Sequence, residues 1–212
     1  EDYSTIASIR GTGGFVPDSK WDQRRAIAEK AAKVAHRLCL AVLTTHIGFV
    51  PSSNEPSYAT MVQRVREIAD MFKEHGLALA METGQEAASE LLQFINDVAR
   101  PNVCVNFDPA NMLLYGAGNP VDAVRILGRH VRQVHIKDAI CSDKPGVNWG
   151  EEVPFGKGQV NAQAFLTTLR SGGYRGPLVI EREAGNNRLA DVQHAIGVLE
   201  AILQPRPSAD GE

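Results

Sequence analysis

Side chains that can bind a metal ion stand at the ends of four successive apolar segments. In chain order they are Glu82, Asp108, His135 and Glu181. Each alone has an ordinary explanation, because an aspartate can cap a turn, a glutamate can be solvated and a histidine can lie in a core. Four in succession favour one shared site. Three carboxylates and an imidazole, without a thiolate, favour Mn²⁺ or Mg²⁺, and Zn²⁺ or Co²⁺ also fit such ligands.

The four segments belong to a regular alternation of predicted strands and helices. Strands are predicted over 3–9, 40–46, 77–82, 103–108, 131–136 and 177–181. Helices are predicted over 18–38, 60–75, 86–99, 120–127, 162–171 and 189–203, with a turn at 109–111, a long irregular stretch at 139–158 and a polar tail at 204–212. This alternation predicts right-handed crossovers and a parallel sheet covered by helices.

The predicted strand 77–82 indicates how the sheet is curved. Its residues Ala78, Ala80 and Glu82 share one face, and bulky residues occupy the other. Small residues suit the interior of a tight barrel, and functional residues at the carboxyl ends of strands are typical of a (β/α)8 TIM barrel. A doubly wound open sheet is the alternative, but it concentrates its site at one switch point.

The length of the chain agrees with one domain but not with a full barrel. A complete (β/α)8 barrel needs about 250 residues, whereas this chain has 212. Six strand–helix units can be counted. We therefore predict a single TIM-barrel domain over 1–212 that is incomplete at its N-terminal side, with the first two units expected before Glu1 and a polar C-terminal tail at 204–212.

Composition excludes several classes of function. A net charge of −3 does not suit a protein whose main partner is nucleic acid. No run of 18 apolar residues is present, so no membrane span is expected. Three widely spaced cysteines indicate reduced thiols rather than a disulfide framework, which favours a cytoplasmic protein.

Five short motifs resemble one known family. They are Met81-Glu-Thr-Gly84, Asn106-Phe-Asp-Pro109, Val134-His-Ile-Lys-Asp138 and the segments 154–160 and 173–181. These resemble the sugar phosphate isomerase/epimerase family of xylose isomerase-like TIM barrels. The resemblance implies a carbohydrate substrate and one divalent metal ion bound by the four residues above. Barrels of this kind often associate, so the resemblance also leaves open that the protein forms a homo-oligomer.

The resemblance also implies a reaction. In epimerases of this group the first and last glutamates move protons, which here are Glu82 and Glu181. A metal bound to a substrate carbonyl acidifies the neighbouring C–H by stabilising an enediolate. Two carboxylates on opposite sides of that carbon can remove a proton from one face and return one to the other. Glu183 competes with Glu181, which is preferred because it directly follows the apolar run.

Four further residues are candidates for contact with substrate. Asn111 stands where the sugar epimerases commonly have a histidine, and an amide binds hydroxyls but carries protons poorly. Lys137 could hold an oxyanion or phosphate, or else be a surface lysine paired with Asp138. His46 could touch substrate or lie in the core. Trp149 could stack on a sugar face or only anchor its loop.

The leading hypothesis is a divalent-metal-dependent isomerase or epimerase that acts on a sugar, keto-sugar or sugar phosphate. One alternative is a lyase of the inosose dehydratase type, which uses the same enediolate and expels a hydroxyl. Another is a barrel that binds metal and sugar without turnover. The endonuclease branch of the superfamily uses several zinc ions, many histidines and basic loops, which the net charge of −3 and six histidines do not match.

Overall fold

A computed structural model describes residues 2–204. The helices are α1 (Ile6–Thr12), α2 (Asp18–Arg37), α3 (Pro56–Glu74), α4 (Ala88–Val98), α5 (Pro109–Tyr115), α6 (Pro120–Leu127), α7 (Ala162–Ser171) and α8 (Arg188–Leu203). The strands are β1 (Val42–Thr45), β2 (Ala78–Glu82), β3 (Val103–Phe107), β4 (Val131–Ile136), β5 (Asp138–Ile140), β6 (Glu151–Val153) and β7 (Leu178–Ile180). Most of them alternate along the chain, as predicted.

The main sheet has five parallel strands in the order β1-β2-β3-β4-β7. Its register pairs Val42 with Ala78 in the first two strands and Val134 with Leu178 in the last two. The helices that connect consecutive strands cover the sheet, so that it forms an arc of a (β/α)8 barrel. Within the described residues, β1 and β7 each pair on one side only.

The two faces of β2 have the environments that the sequence predicts. Leu77, Leu79 and Met81 are almost fully buried and belong to the hydrophobic core beneath the helices. Ala80 is also buried but lies outside that core cluster, on the opposite face. Alternation along the strand therefore points Glu82 away from the helix layer.

The layer between sheet and helices supplies the main packing energy. Phe107 of β3 stacks on Phe165 of α7, with ring centroids 5.6 Å apart. Burial of a side chain of this size is worth roughly 1.5–3 kcal/mol. The amphipathic helix α3 contributes Ile68 and Phe72 to the same layer, and Gly76, with φ of 73°, follows its end. This packing fixes the strands whose carboxyl ends carry the polar residues.

Three local predictions are wrong. Residues 3–9 are not a strand, because Thr5 caps helix α1 by accepting from the Ser8 backbone N–H. The predicted turn at 109–111 is the first turn of α5. The stretch 139–158 is not wholly irregular, since β5 and β6 form an antiparallel hairpin.

The first of these corrections changes the strand count. The main sheet contains five of the eight strands of a full barrel rather than the six expected. The expectation of two missing units was based on six strands, and a main sheet of five strands does not support it. Apart from Gln204, the predicted tail 204–212 lies outside the described residues.

Two predictions about composition can be compared with the structure. All three cysteines are free thiols: Cys39 is exposed, Cys104 is buried and Cys141 is intermediate. Among residues 2–204, no helix combines the length and the apolar character that a membrane crossing requires.

Candidate metal centre

The four predicted ligands converge at the carboxyl ends of β2, β3, β4 and β7. One ligand atom from each lies within 4.8 Å of the others. His135 is central, because its Nδ1 atom is 3.2 to 3.5 Å from a carboxylate oxygen of each of the other three. These strands are adjacent in the sheet, so the fold brings together residues that are far apart in sequence.

Asp108 is held by the helix that follows it. Its Oδ1 atom accepts hydrogen bonds from the backbone N–H groups of Ala110 and Asn111, at 2.8 and 3.0 Å, and so caps α5. The Asp108 backbone N–H donates to Thr83 Oγ1 at 2.8 Å. Its Oδ2 atom is buried and has no hydrogen-bond partner. Burial raises the pKa of this carboxyl group.

His135 is oriented by Asn106, a residue that the sequence analysis did not single out. The Asn106 Nδ2 atom lies 3.0 Å from His135 Nε2 on the side away from the carboxylates. Both residues are buried, and Asn106 Oδ1 has no hydrogen-bond partner. Nitrogen and oxygen can exchange places in an amide by a rotation of 180°, so Asn106 can pair with either tautomer of the ring.

The carboxylates dominate the electrostatics of the cluster. Burial alone would lower the pKa of His135, but the carboxylates of Asp108, Glu181 and Glu82 raise it to about 11. The His135 ring, whose Nδ1 atom is 3.2 Å from Glu181 Oε2, in turn lowers the pKa of Glu181 to about 2. Negative charge therefore accumulates at one point, and positive charge is favoured there.

Lys137 is the second cation of the cluster. It is only 2% exposed, and its Nζ atom donates to Glu181 Oε2 at 3.0 Å and to Glu183 Oε2 at 2.5 Å. Burial would lower its pKa, but the neighbouring carboxylates, Asp108 first, raise it. The alternative of a surface lysine paired with Asp138 is wrong, because Lys137 is buried and Asp138 has other partners.

Two of the proposed substrate contacts adjoin Glu82. Asn111 Nδ2 donates to Glu82 Oε1 at 3.0 Å, and His46 Nε2 lies 3.6 Å from the same oxygen. His46 Nδ1 is buried without a hydrogen-bond partner. The loop after Glu82 passes close to Asn111 because residue 84 is glycine: a Cβ atom there would lie 2.4 Å from Asn111 Cβ.

Trp149 takes part in an aromatic row rather than in the ligand cluster. Its ring packs edge-on against Tyr115 at 4.8 Å, and Tyr115 packs edge-on against Phe49 at 5.6 Å. The Gly150 backbone N–H donates to the Leu114 carbonyl at 3.1 Å. Trp149 thus helps to anchor its loop to the end of α5, which was one of the two readings offered by the sequence.

Glu152 is a site residue that the sequence did not predict. It lies on β6, and its Oε1 atom accepts from Arg182 Nη1 at 2.7 Å and from the Glu183 backbone N–H at 3.0 Å. Arg182 also donates from Nε to Asp191 at 2.8 Å. The hairpin thereby fixes the segment that carries Glu181 and Glu183. The acidic pair at 151–152 was visible in the sequence, but the contacts of Glu152 with the segment after β7 depend on the hairpin.

Asp138, which follows Lys137, holds the loop that closes this side of the site. Its Oδ1 atom accepts from the N–H groups of Ala139 and Val160, and its Oδ2 atom accepts from those of Gly156 and Gly158, all at 2.9 to 3.1 Å. A Cβ atom at position 158 would lie 2.2 Å from Asp138 Oδ1, so this approach requires glycine.

The residues of the cluster fit a divalent cation. Two buried atoms that face each other, Asp108 Oδ2 and His135 Nδ1, have no hydrogen-bond partner. A metal ion would satisfy both. Three carboxylate oxygens and one imidazole nitrogen are the mixture that Mn²⁺ and Mg²⁺ accept, although Zn²⁺ can also bind such donors.

A parallel barrel-type sheet with a carboxylate-rich cluster at its carboxyl edge defines a class of α/β barrel proteins with a candidate metal site. Comparison with known sequences identifies the family within this class. The profile of a family described as xylose isomerase-like TIM barrel matches residues 3–202. The chain therefore belongs to the xylose isomerase-like TIM barrel family, as the sequence motifs predicted.

Individual relatives agree with this placement. The crystal structure of a xylose isomerase domain protein from Planctomyces limnophilus is 42% identical, has a TM-score of 0.90, and matches over 95% of this chain and 72% of that one. The L-ribulose-5-phosphate 3-epimerase UlaE of Salmonella paratyphi C is 27% identical over 86% of this chain and 64% of its own length. This chain thus spans less than two thirds of that epimerase.

A third relative has a metal ion in its structure. A xylose isomerase-like TIM barrel protein from Mycobacterium smegmatis was crystallised in complex with magnesium. It is 19% identical, with a TM-score of 0.71 over 90% of this chain and 71% of that one. At this identity the similarity shows a common fold.

Substitution of Asp138 tests the loop anchor. Asp138→Asn keeps the volume but turns an NH₂ group toward two backbone N–H donors. Leaving two backbone N–H donors without an acceptor should lower the free energy of unfolding by roughly 1–3 kcal/mol. Urea unfolding followed by circular dichroism measures this loss. Asp143→Asn, an exposed acid in the same loop region, is the control and should change stability by less than about 0.5 kcal/mol. Equal stabilities of the two variants would contradict the assigned role.

Proposed function

We propose that the protein is a divalent-metal-dependent isomerase or epimerase that acts on a sugar, a keto-sugar or a sugar phosphate. The observation that carries the proposal is the convergence of Glu82, Asp108, His135 and Glu181 within 4.8 Å. A sugar epimerase among the relatives supports the reaction class. A divalent cation held by these four residues would supply the positive charge that an enediolate needs. The remaining chemistry is assigned to the side chains.

Glu82 and Glu181 are the proposed proton carriers. They come from β2 and β7, the outer two of the four strands that carry the cluster. A substrate carbon between them has one carboxylate on either side, so one can remove a proton and the other can return one. Asn111 positions Glu82 through its 3.0 Å hydrogen bond, and Lys137 positions Glu181.

Asn106 is proposed to fix the tautomer of His135. To bind a cation through Nδ1, the ring must carry its proton on Nε2. Asn106 can accept that proton's hydrogen bond once its amide is turned so that Oδ1 faces the ring. In that orientation Asn106 Oδ1 accepts from the His135 Nε2–H group, whereas it otherwise lacks a partner.

Substrate recognition is assigned to the residues around the cluster. His46 and Asn111 present hydrogen-bonding groups beside Glu82. The ammonium group of Lys137 can bind a developing oxyanion. Trp149 belongs to the aromatic row. Only the part of its ring that Tyr115 does not cover can offer an apolar surface to a sugar.

A dehydratase is the second candidate, and Lys137 is the observation that favours it. Elimination needs a hydrogen-bond donor at the departing hydroxyl, and the buried ammonium group of Lys137, hydrogen-bonded to Glu181, lies beside the proton-abstracting carboxylate. Because the neighbouring carboxylates raise the pKa of Lys137, it would stabilise the departing hydroxyl by a hydrogen bond, and the glutamate that took up the substrate proton would return it to that hydroxyl. The two reactions share the first step and differ in whether the hydroxyl on the next carbon leaves.

Deuterium exchange tests both candidates. Ketoses and keto-cyclitols are incubated in D₂O with the protein and Mn²⁺ or Mg²⁺, and NMR detects deuterium beside the carbonyl. An epimerase yields a deuterated diastereomer, and a dehydratase yields an unsaturated or dicarbonyl product. Glu82→Gln and Glu181→Gln should each lower exchange by about 10²–10⁴-fold.

Glu151→Gln is the matched control, because Glu151 is an exposed acid on the hairpin that supports the site. It should retain exchange within about twofold. Folded, metal-loaded protein that exchanges no proton across the panel would contradict the proposal. So would full activity in both glutamine variants of the proposed proton carriers.

A further inference from the structure

A polar cavity lies beside the ligand cluster but includes none of its four residues. Its volume is about 530 Å³, within the range of small-molecule sites. The loop between β1 and α3 forms one wall, the loop between β2 and α4 forms another, and Arg10 of α1 also lines the cavity. Since both loops follow the carboxyl ends of strands, the cavity opens at the same edge of the sheet as the cluster.

Glu86 lines this cavity, and one of its two carboxyl oxygens lacks a partner. The residue is 9% exposed, and its Oε2 atom is buried without a hydrogen bond. A buried polar atom of this kind destabilises the fold by roughly 1–3 kcal/mol unless a partner binds it. Among the described parts of the chain, Glu86 is in no cluster with metal-ligand spacing. A hydrogen-bonding molecule in the cavity would satisfy this oxygen atom.

The charges of the cavity restrict that molecule. Glu55 and Glu90 also line it, and Arg10 packs its guanidinium on the Phe49 ring at 4.5 Å. The acidic residues outnumber this single guanidinium group, and this balance disfavours a phosphate group. Burial, chiefly, and also the nearby Glu90 raise the pKa of Glu86 to about 8, although the Val50 backbone lowers it in part. The raised pKa favours the protonated carboxyl group, which donates a hydrogen bond, and an ammonium group offers it no acceptor.

The rest of the lining is suited to hydroxyl groups. It includes three serines, two glutamines and a tyrosine: Ser52, Ser53, Ser57, Gln85, Gln93 and Tyr58. Hydroxyls and amides can each donate and accept hydrogen bonds. A molecule with several hydroxyl groups can therefore satisfy the cavity and the Glu86 carboxyl group together.

The raised pKa of Glu86 predicts a pH dependence of stability. Between 4.5, the ordinary pKa, and about 8, the folded protein keeps a proton that the unfolded chain has released. The free energy of unfolding should therefore fall as the pH rises through this interval. Urea unfolding across it should show a fall in wild type and a smaller one in Glu86→Gln. Glu90→Gln, in the same cavity, is the control and should behave more like wild type. A profile unchanged by Glu86→Gln would contradict the assignment.

We propose that this cavity is a binding subsite for an uncharged, polyhydroxylated molecule, a sugar without phosphate, and that Glu86 donates a hydrogen bond to one of its oxygens. The subsite does not depend on turnover at the ligand cluster. It gives the protein a second point of carbohydrate recognition, formed by the β1–α3 and β2–α4 loops. Its preference for neutral sugars would exclude a sugar phosphate from this part of the surface.

NMR titration of the ¹⁵N-labelled full chain tests the proposal with three matched probes. D-Glucose, D-glucose 6-phosphate and D-glucosamine share a ring and differ in charge. D-Glucose should shift the backbone amides of Ser53, Gln85 and Glu90 saturably, with EDTA and with Mg²⁺ alike. The phosphate should bind at least about tenfold more weakly. Equal or tighter binding of the phosphate or the amine would overturn the proposal, as would shifts confined to Asn111 and Lys137 or no shift at all.

Variants test the role of Glu86. Glu86→Leu should weaken D-glucose binding about five- to tenfold, whereas Glu86→Gln, which still donates, should stay within about threefold. If Glu86→Leu does not fold, the exposed Gln93→Ala should weaken binding about two- to fivefold. Gln163→Ala on α7 is the control and should bind as wild type. Unchanged binding in folded Glu86→Leu, or in Gln93→Ala when Glu86→Leu does not fold, would overturn the assignment.

Discussion

Three carboxylates that converge on one buried point impose the constraint on which this structure depends. Asp108 is fully buried, and its Oδ2 atom faces an imidazole nitrogen instead of water. Like charges in such surroundings repel strongly unless a cation lies between them. Lys137 supplies positive charge from the protein, as does His135 while its ring is protonated. When the His135 ring is neutral, its Nδ1 atom and Asp108 Oδ2 are two unpaired ligand atoms that a metal ion would satisfy.

The surrounding fold keeps these charges in place. The carboxyl edge of the parallel sheet sets the spacing of the cluster, and α5 holds Asp108 through its N-terminal N–H groups. The hairpin adds a second support, because Glu152 binds the backbone after Glu181 and pairs with Arg182. Asp138 then fixes the adjoining loop. Most buried polar groups around the site therefore position a residue of the cluster.

The sequence predicts the barrel-type sheet and the ligand cluster well, because both depend on local alternation and on strand ends that must meet. For example, the small Ala80 and the bulky Leu79 alternate along β2, and this alternation alone predicts which face of the sheet each residue occupies. The hairpin and the pairing of Glu152 with Arg182 are not predictable in this way, since short strands carry little pattern. Asn106 and Glu86 were not predicted as site residues. Each is singled out by an unpaired buried atom, which depends on the packing of the folded chain.

Titration calorimetry of Mn²⁺ into EDTA-treated protein measures whether the cluster of four residues binds a metal ion. Asp108→Asn is compared with wild type, and the exposed Asp122→Asn is the control. About one site per chain is expected in wild type and in the control, and removal of one carboxylate ligand should weaken binding by at least about tenfold. Saturable binding that is equal in all three proteins would place the metal elsewhere. Absence of binding by Mn²⁺, Mg²⁺, Zn²⁺ and Co²⁺ would contradict the metal centre itself.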